Sequence, residues 1–97
     1  MAYDPGAIDA TLAAAVGDEP ALIVELREAF LEGVKRCHAA MKGADGPESW
    51  TAAALRLKGL SASFGAVRLM ALASEAAAGE ARDAEVLRRI QRAIERL

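Results

Sequence analysis

The feature that most constrains the fold is an apolar stripe between residues 20 and 42. Its members recur every three or four positions, the spacing that places side chains on one face of an α-helix. They are Ile23, Leu26, Phe30, Val34, Cys37 and Met41. Apolar residues make up 54% of the 97 positions and aromatic residues only 4%. Because alanine supplies much of that apolar fraction, closely packed helices are favoured over a β-sandwich.

Proline, glycine and capping residues divide the chain into five predicted helices. The first is short: Asp4 caps it, Pro5 fits its first position and Gly17 closes it. Its apolar stripe is Ile8, Leu12 and Val16. The second helix has Asp18 as its cap, tolerates a proline in its first turn, and runs to about Lys42.

The third predicted helix begins at Pro47, after a glycine-containing turn, and reaches about Phe64. Gly65 separates it from a fourth helix, which ends near Ala78. Asp83 caps the fifth helix, whose inward residues are Leu87, Ile90, Ile94 and Leu97. Short connections between amphipathic helices favour antiparallel neighbours. We therefore expect residues 1–97 to form one all-α domain, an antiparallel up-down four-helix bundle with a short additional N-terminal helix.

Charge and composition narrow the possible classes of function. The net charge is −2 and the basic residues form no long block, so neither nucleic acid nor an anionic membrane is suggested as a partner. The locally basic run 87–96 is interpreted as cations at a helix C-terminus. With one cysteine, no signal peptide and no apolar run of membrane-spanning length, we expect a cytoplasmic protein. No metal site, cofactor or phosphate-binding glycine loop is predicted.

The outward face of the third predicted helix has an unusual composition. At about 100° per residue, Ala54, Leu57, Ser61 and Phe64 all fall within about 40° of Trp50 and form its buried stripe. The opposite side carries a leucine, a lysine, a glycine and an alanine: Leu55, Lys58, Gly59 and Ala62.

Gly59 in this outward face needs an explanation, because a glycine inside a helix is less favourable than alanine by about 0.5–1 kcal/mol. One turn after Leu55, it removes bulk where the backbone of another protein could approach, and Lys58 adds a positive charge beside that position. Such a face suits a partner that bears phosphate or carboxylate. The alternative is a glycine that is merely tolerated.

The segment LRLKGLSASFGA (residues 55–66), with Trp50 upstream and RLMALASEAA downstream, resembles the core of the histidine-containing phosphotransfer (HPt) family. Residues 8–30 resemble the first two helices of that family, so the resemblance covers nearly the whole chain. It implies a four-helix bundle that docks response-regulator receiver domains or histidine kinases. It also implies that Lys58 neutralises a phosphoryl group and that Gly59 lets the receiver approach.

The sequence departs from the family at the position of the phosphorylated histidine, which is Leu55. An alkyl side chain has no nitrogen lone pair to attack phosphorus, so we predict a non-enzymatic adaptor that docks a partner without accepting phosphate. The stretch 74–79 also offers mainly alanines where the family often has a polar amide. Two alternatives remain: an interaction or self-association scaffold unrelated to phosphorelay, and phosphotransfer through His38.

Other polar or reactive side chains are interpreted as structural. His38, the only histidine, is expected at the core boundary, and Cys37 is expected to be a core thiol. Ser61 faces inward, where its hydroxyl can bond back to its own helix. Ser63 faces outward but lacks the histidine and aspartate partners of a catalytic triad.

Overall fold

The computed structural model describes residues 10, 12, 14, 17 and 19–97. Within these residues the chain forms α1 (Pro20–Lys42), α2 (Pro47–Ser63), α3 (Val67–Ala78) and α4 (Ala84–Glu95). They correspond to the second to fifth predicted helices, whose limits are confirmed to within one or two residues. The described residues contain no β-strand, so the expectation of an all-α bundle of four helices is confirmed for this part of the chain.

Most of the first predicted helix lies outside the described residues. The residues outside the described part include the predicted cap Asp4, the first position Pro5, and the stripe residues Ile8 and Val16. Asp18, the cap predicted for the second helix, lies outside it as well. Ala10, Leu12 and Ala14 are described and have helical backbone. Leu12 is 3% exposed and belongs to the core, as its place on the predicted stripe requires.

The ends of the helices follow from local chemistry. At the start of α1 the N-cap position is Glu19, and its side chain makes no capping hydrogen bond to the described residues. The predicted cap of α4 is confirmed, because the Asp83 carboxylate accepts a hydrogen bond of 2.9 Å from the backbone N–H of Glu85.

A Schellman motif closes α2. Gly65 has a φ of 73°, in the left-handed region that favours glycine. Its N–H donates to the carbonyl of Ala62, and the N–H of Ala66 donates to the carbonyl of Ser61. The predicted interruption at Gly65 is therefore a defined turn that leads directly into α3.

Each helix packs against two others. The pairs are α1 with α2, α2 with α3, α3 with α4, and α4 with α1. The core they enclose includes Phe30, Trp50, Leu57 and Ile90, each at most 1% exposed. None of the helices in the described part of the chain combines the length and apolar character needed to cross a membrane.

Two contacts fix how α2 packs on its neighbours. The Trp50 indole Nε1–H donates to the carbonyl oxygen of Ala76 on α3 over 2.8 Å. On the α1 side, Gly33 gives room to Leu60, because a Cβ at position 33 would lie 2.8 Å from Leu60 Cδ2. A side chain at position 33 would therefore push Leu60 out of its present place.

Ser61 does not make the bond to its own helix that its position allows. Ser61 is fully buried, as its helix position predicts, but its Oγ has no hydrogen-bond partner among the described residues. Back-bonding occurs instead at Ser63, whose exposed hydroxyl donates to the Gly59 carbonyl over 3.0 Å. The helical position of a serine determines whether it is buried, whereas its χ1 rotamer determines whether its hydroxyl reaches the carbonyl of the preceding turn.

Candidate docking surface on α2

The face of α2 singled out from the sequence is exposed to solvent. Leu55 is 51% exposed, and the other three members are exposed as well. Trp50, Ala54 and Leu57, on the opposite side of the same helix, are at most 1% exposed. We call the residues Leu55, Lys58, Gly59 and Ala62 the α2 outer face. Its orientation agrees with the prediction from helical periodicity.

No feature of the described structure requires a glycine at position 59. Its φ is not in the left-handed region, and a Cβ added there would have no described atom within 4 Å, apart from atoms of its own helical turn and neighbouring residues. Gly33 differs, because Leu60 occupies the space beside it. The unfavourable helix propensity of Gly59 is therefore not offset by close packing within the described part of the chain.

A groove of about 630 Å³ adjoins Gly59 between α1 and α2. Leu60 and Cys37 supply apolar surface, and Arg36 and Arg56 supply positive charge at its margins. Gly33 and Ser63 complete the lining. Helical periodicity does not predict this groove, because its residues lie on two different helices and come together only in the folded chain.

Positive charge flanks the α2 outer face on both sides. On the helical wheel Arg56 and Lys58 lie about 60° and 100° from Gly59, in opposite directions. Neither forms an ion pair with any described residue. Arg36 pairs with Glu32 at 3.6 Å, but both side chains are largely exposed, so this pair holds Arg36 only weakly. An apolar centre with cationic margins can receive an anionic, partly apolar surface.

Cys37 is buried at the base of this groove. Burial raises the pKa of its thiol, and the nearby Arg56 and Arg36 oppose that shift. A raised pKa leaves little thiolate at neutral pH, so the thiol is a poor nucleophile. The interpretation of Cys37 as a core residue is confirmed by its burial.

His38 lies apart from the α2 outer face. It is 8% exposed, and its Nε2 lies 3.1 Å from the carbonyl oxygen of Leu87 on α4. Burial lowers the pKa of the imidazole, as does the Lys42 charge, whereas the hydrogen bond to Leu87 opposes the shift. A neutral ring that donates Nε2–H to this carbonyl accounts for the contact. The structure therefore does not bring His38 together with Lys58 and Gly59.

Within the described ranges, no three His, Cys, Asp or Glu side chains converge in a way that could hold a metal ion. Comparisons of the chain with protein-family models, curated proteins and solved structures gave no match. The α2 outer face and the sequence motif around it are therefore the basis for a functional proposal.

Proposed function

We propose that this chain is an HPt-like adaptor that docks a receiver domain or a histidine kinase and carries no phosphoryl group itself. The observation that carries the proposal is Gly59, a helical glycine that faces open space beside the exposed Leu55. A bound partner would explain why bulk is absent at this position. The motif around it, from Leu55 to Ala66, resembles that of the HPt family.

The antiparallel up-down arrangement of that family belongs to the same proposal. In its favour, consecutive helices pack on each other, and α4 packs on α1. The connections 43–46, 64–66 and 79–83 are short, which favours antiparallel neighbours. In this arrangement, α1 and α2 would present one continuous surface that includes the α2 outer face and the adjoining groove.

The charge around the α2 outer face supports an acidic partner. The phosphoryl-accepting residue of a receiver domain is an aspartate, so its docking side carries negative charge. Arg36, Arg56 and Lys58 would attract such a surface, and Leu55 would make an apolar contact at its centre. The adaptor would then compete with phosphorylatable HPt proteins for the same receiver.

Binding to receiver domains tests this proposal. Gly59→Arg places a long side chain at the centre of the α2 outer face and should abolish binding while leaving the fold intact. Lys58→Ala should weaken binding modestly, and more at low salt than at high salt. Ala71→Arg, which adds the same side chain at an exposed position of α3, is the control and should leave binding unchanged.

Two outcomes would contradict the proposal. If Gly59→Arg unfolds the protein and binding follows only the folded fraction, the glycine serves helix packing. If no receiver or kinase domain of the host binds the wild-type chain, an interface unrelated to phosphorelay, such as self-association through Leu55, replaces the proposal.

Phosphate transfer is tested separately with a phosphorylated receiver. The wild-type chain should take up no acid-labile phosphate, because Leu55 has no nucleophilic nitrogen. Labelling that disappears in His38→Ala would contradict this and favour transfer through His38. Leu55→His should fold with a stability change within about 0.5 kcal/mol, since Leu55 is exposed.

A further inference from the structure

Four arginines line one small cavity between α3 and α4. The cavity has a volume of about 110 Å³, and its lining consists of Arg68, Arg89, Arg92, Arg96 and Ala93. We call it the arginine cavity. The chain as a whole has a net charge of −2, so this concentration of positive charge is local and does not reflect a generally basic surface.

Only one of the four guanidinium groups is neutralised by a described carboxylate. Arg89 binds Glu75 through two contacts, Nη1–Oε2 at 2.6 Å and Nη2–Oε1 at 3.0 Å. Arg68, Arg92 and Arg96 make no side-chain hydrogen bond or ion pair with the residues that the structure describes. Their charges repel one another across the cavity, and an anion placed there would relieve that repulsion.

Helix dipoles account for only part of this cluster. Arg92 and Arg96 lie at the end of α4, where positive charge is favourable. Arg68 is the second residue of α3, the end of a helix where positive charge is unfavourable. The first turn of α3 contains no acidic residue, and its N-cap, Ala66, provides no capping side chain. A favourable helix dipole therefore accounts for Arg92 and Arg96, within the run 87–96, but not for Arg68, which lies outside that run.

We propose that the arginine cavity binds one phosphate group, either as free inorganic phosphate or as the end of a small phosphate monoester. Guanidinium groups hold the oxygens of a tetrahedral oxyanion through paired N–H donors. The volume of about 110 Å³ accommodates a single such group. The positive end of the α3 dipole adds to the attraction.

This site is separate from the α2 outer face. The residues that line the arginine cavity belong to α3, to α4 and to Arg96, the C-cap of α4, whereas the α2 outer face and its groove belong to α1 and α2. Phosphate binding in the cavity therefore does not depend on the docking proposal. Each can fail without the other.

Calorimetric titration with inorganic phosphate at constant ionic strength tests the assignment. The wild-type chain should show saturable binding of one phosphate. Arg68→Gln and Arg92→Gln should each weaken it about tenfold or more, because each removes a charge-assisted hydrogen-bond donor. The matched control is Arg88→Gln, which makes the same charge change on the exposed side of α4 and should retain wild-type affinity.

Thermal unfolding without phosphate shows whether the variants fold, and Arg68→Gln should melt no lower than wild type because it relieves repulsion. Repeating the titration with glycerol 2-phosphate distinguishes the two sources: binding of both ligands assigns a monoester site, and binding of inorganic phosphate alone assigns a site for the free ion. Absence of saturable phosphate binding by the wild-type chain would overturn the proposal. Equal weakening in Arg68→Gln and Arg88→Gln would also overturn it, because general charge attraction would then suffice.

Discussion

Replacing Gly59 by alanine should stabilise the protein. The new Cβ would point into open space: apart from the adjacent residues and the backbone of its own helix, no described atom lies within 4 Å of it. No steric strain therefore offsets the better helix propensity of alanine. That difference is about 0.5–1 kcal/mol in a helix interior. For a domain of this size, we expect the midpoint of thermal unfolding to rise by roughly 2–8 °C.

The matched control is Gly33→Ala, the same substitution in the helix that packs against α2. Its Cβ would lie 2.8 Å from Leu60 Cδ2, closer than carbon atoms approach in folded proteins. The end of the partly buried Leu60 side chain would have to shift, and a shift off its rotamer costs about 0.5–1.5 kcal/mol, which offsets part or all of the propensity gain. Gly33→Ala should therefore stabilise the protein less than Gly59→Ala does.

Urea and thermal unfolding of the two variants and wild type, followed by far-ultraviolet circular dichroism, measure both changes. If Gly59→Ala is less stable than wild type, the fold itself requires the glycine. A bound partner would then no longer be needed to explain the absence of a side chain at position 59. Equal stabilisation in both variants would instead show that Leu60 yields freely and that Gly33 does not set the approach of α1 to α2.

Three further changes probe the core. Ser61→Ala should raise stability by about 1 kcal/mol in urea unfolding, because the buried Oγ has no described hydrogen-bond partner; a loss of stability would show that the hydroxyl is satisfied. Trp50→Phe should lower stability by about 1–3 kcal/mol by the same measurement, since it removes the bond to Ala76 and leaves space unfilled. Wild-type stability should fall as the pH drops below about 6.5, since the pKa of His38 is lowered in the folded state and the unfolded chain binds the proton first. Stability curves at pH 5–8 should show a smaller fall for His38→Gln, and identical slopes would exclude this contribution.

Local sequence rules predicted the helices well. The starts of α1 and α2 are marked by Pro20 and Pro47, and Asp83 caps α4 as expected. Periodicity along α2 alone was enough to place Leu55 and Gly59 on an exposed face. These predictions succeeded because each depends on residues within one or two helical turns of one another.

The features that were missed depend on packing between helices. The groove beside Gly59 lies where Leu60 packs beside Gly33, 27 positions earlier in the sequence, and both Arg36 and Arg56 line it. The arginine cavity likewise joins Arg68 to residues of α4. A single sequence carries no direct signal for such pairs, because helical periodicity predicts which face is buried but not which residues meet across it.

The burial of Trp50 has a practical consequence for binding measurements. It is the only tryptophan of the chain, it is 1% exposed, and it lies on the side of α2 opposite Gly59. Its intrinsic fluorescence should therefore report the separation of α2 from α3 during unfolding, when the indole loses its bond to Ala76 and meets water. A partner docked on the α2 outer face would leave that environment unchanged, so optical detection of docking calls for a dye on the partner rather than for the fluorescence of Trp50.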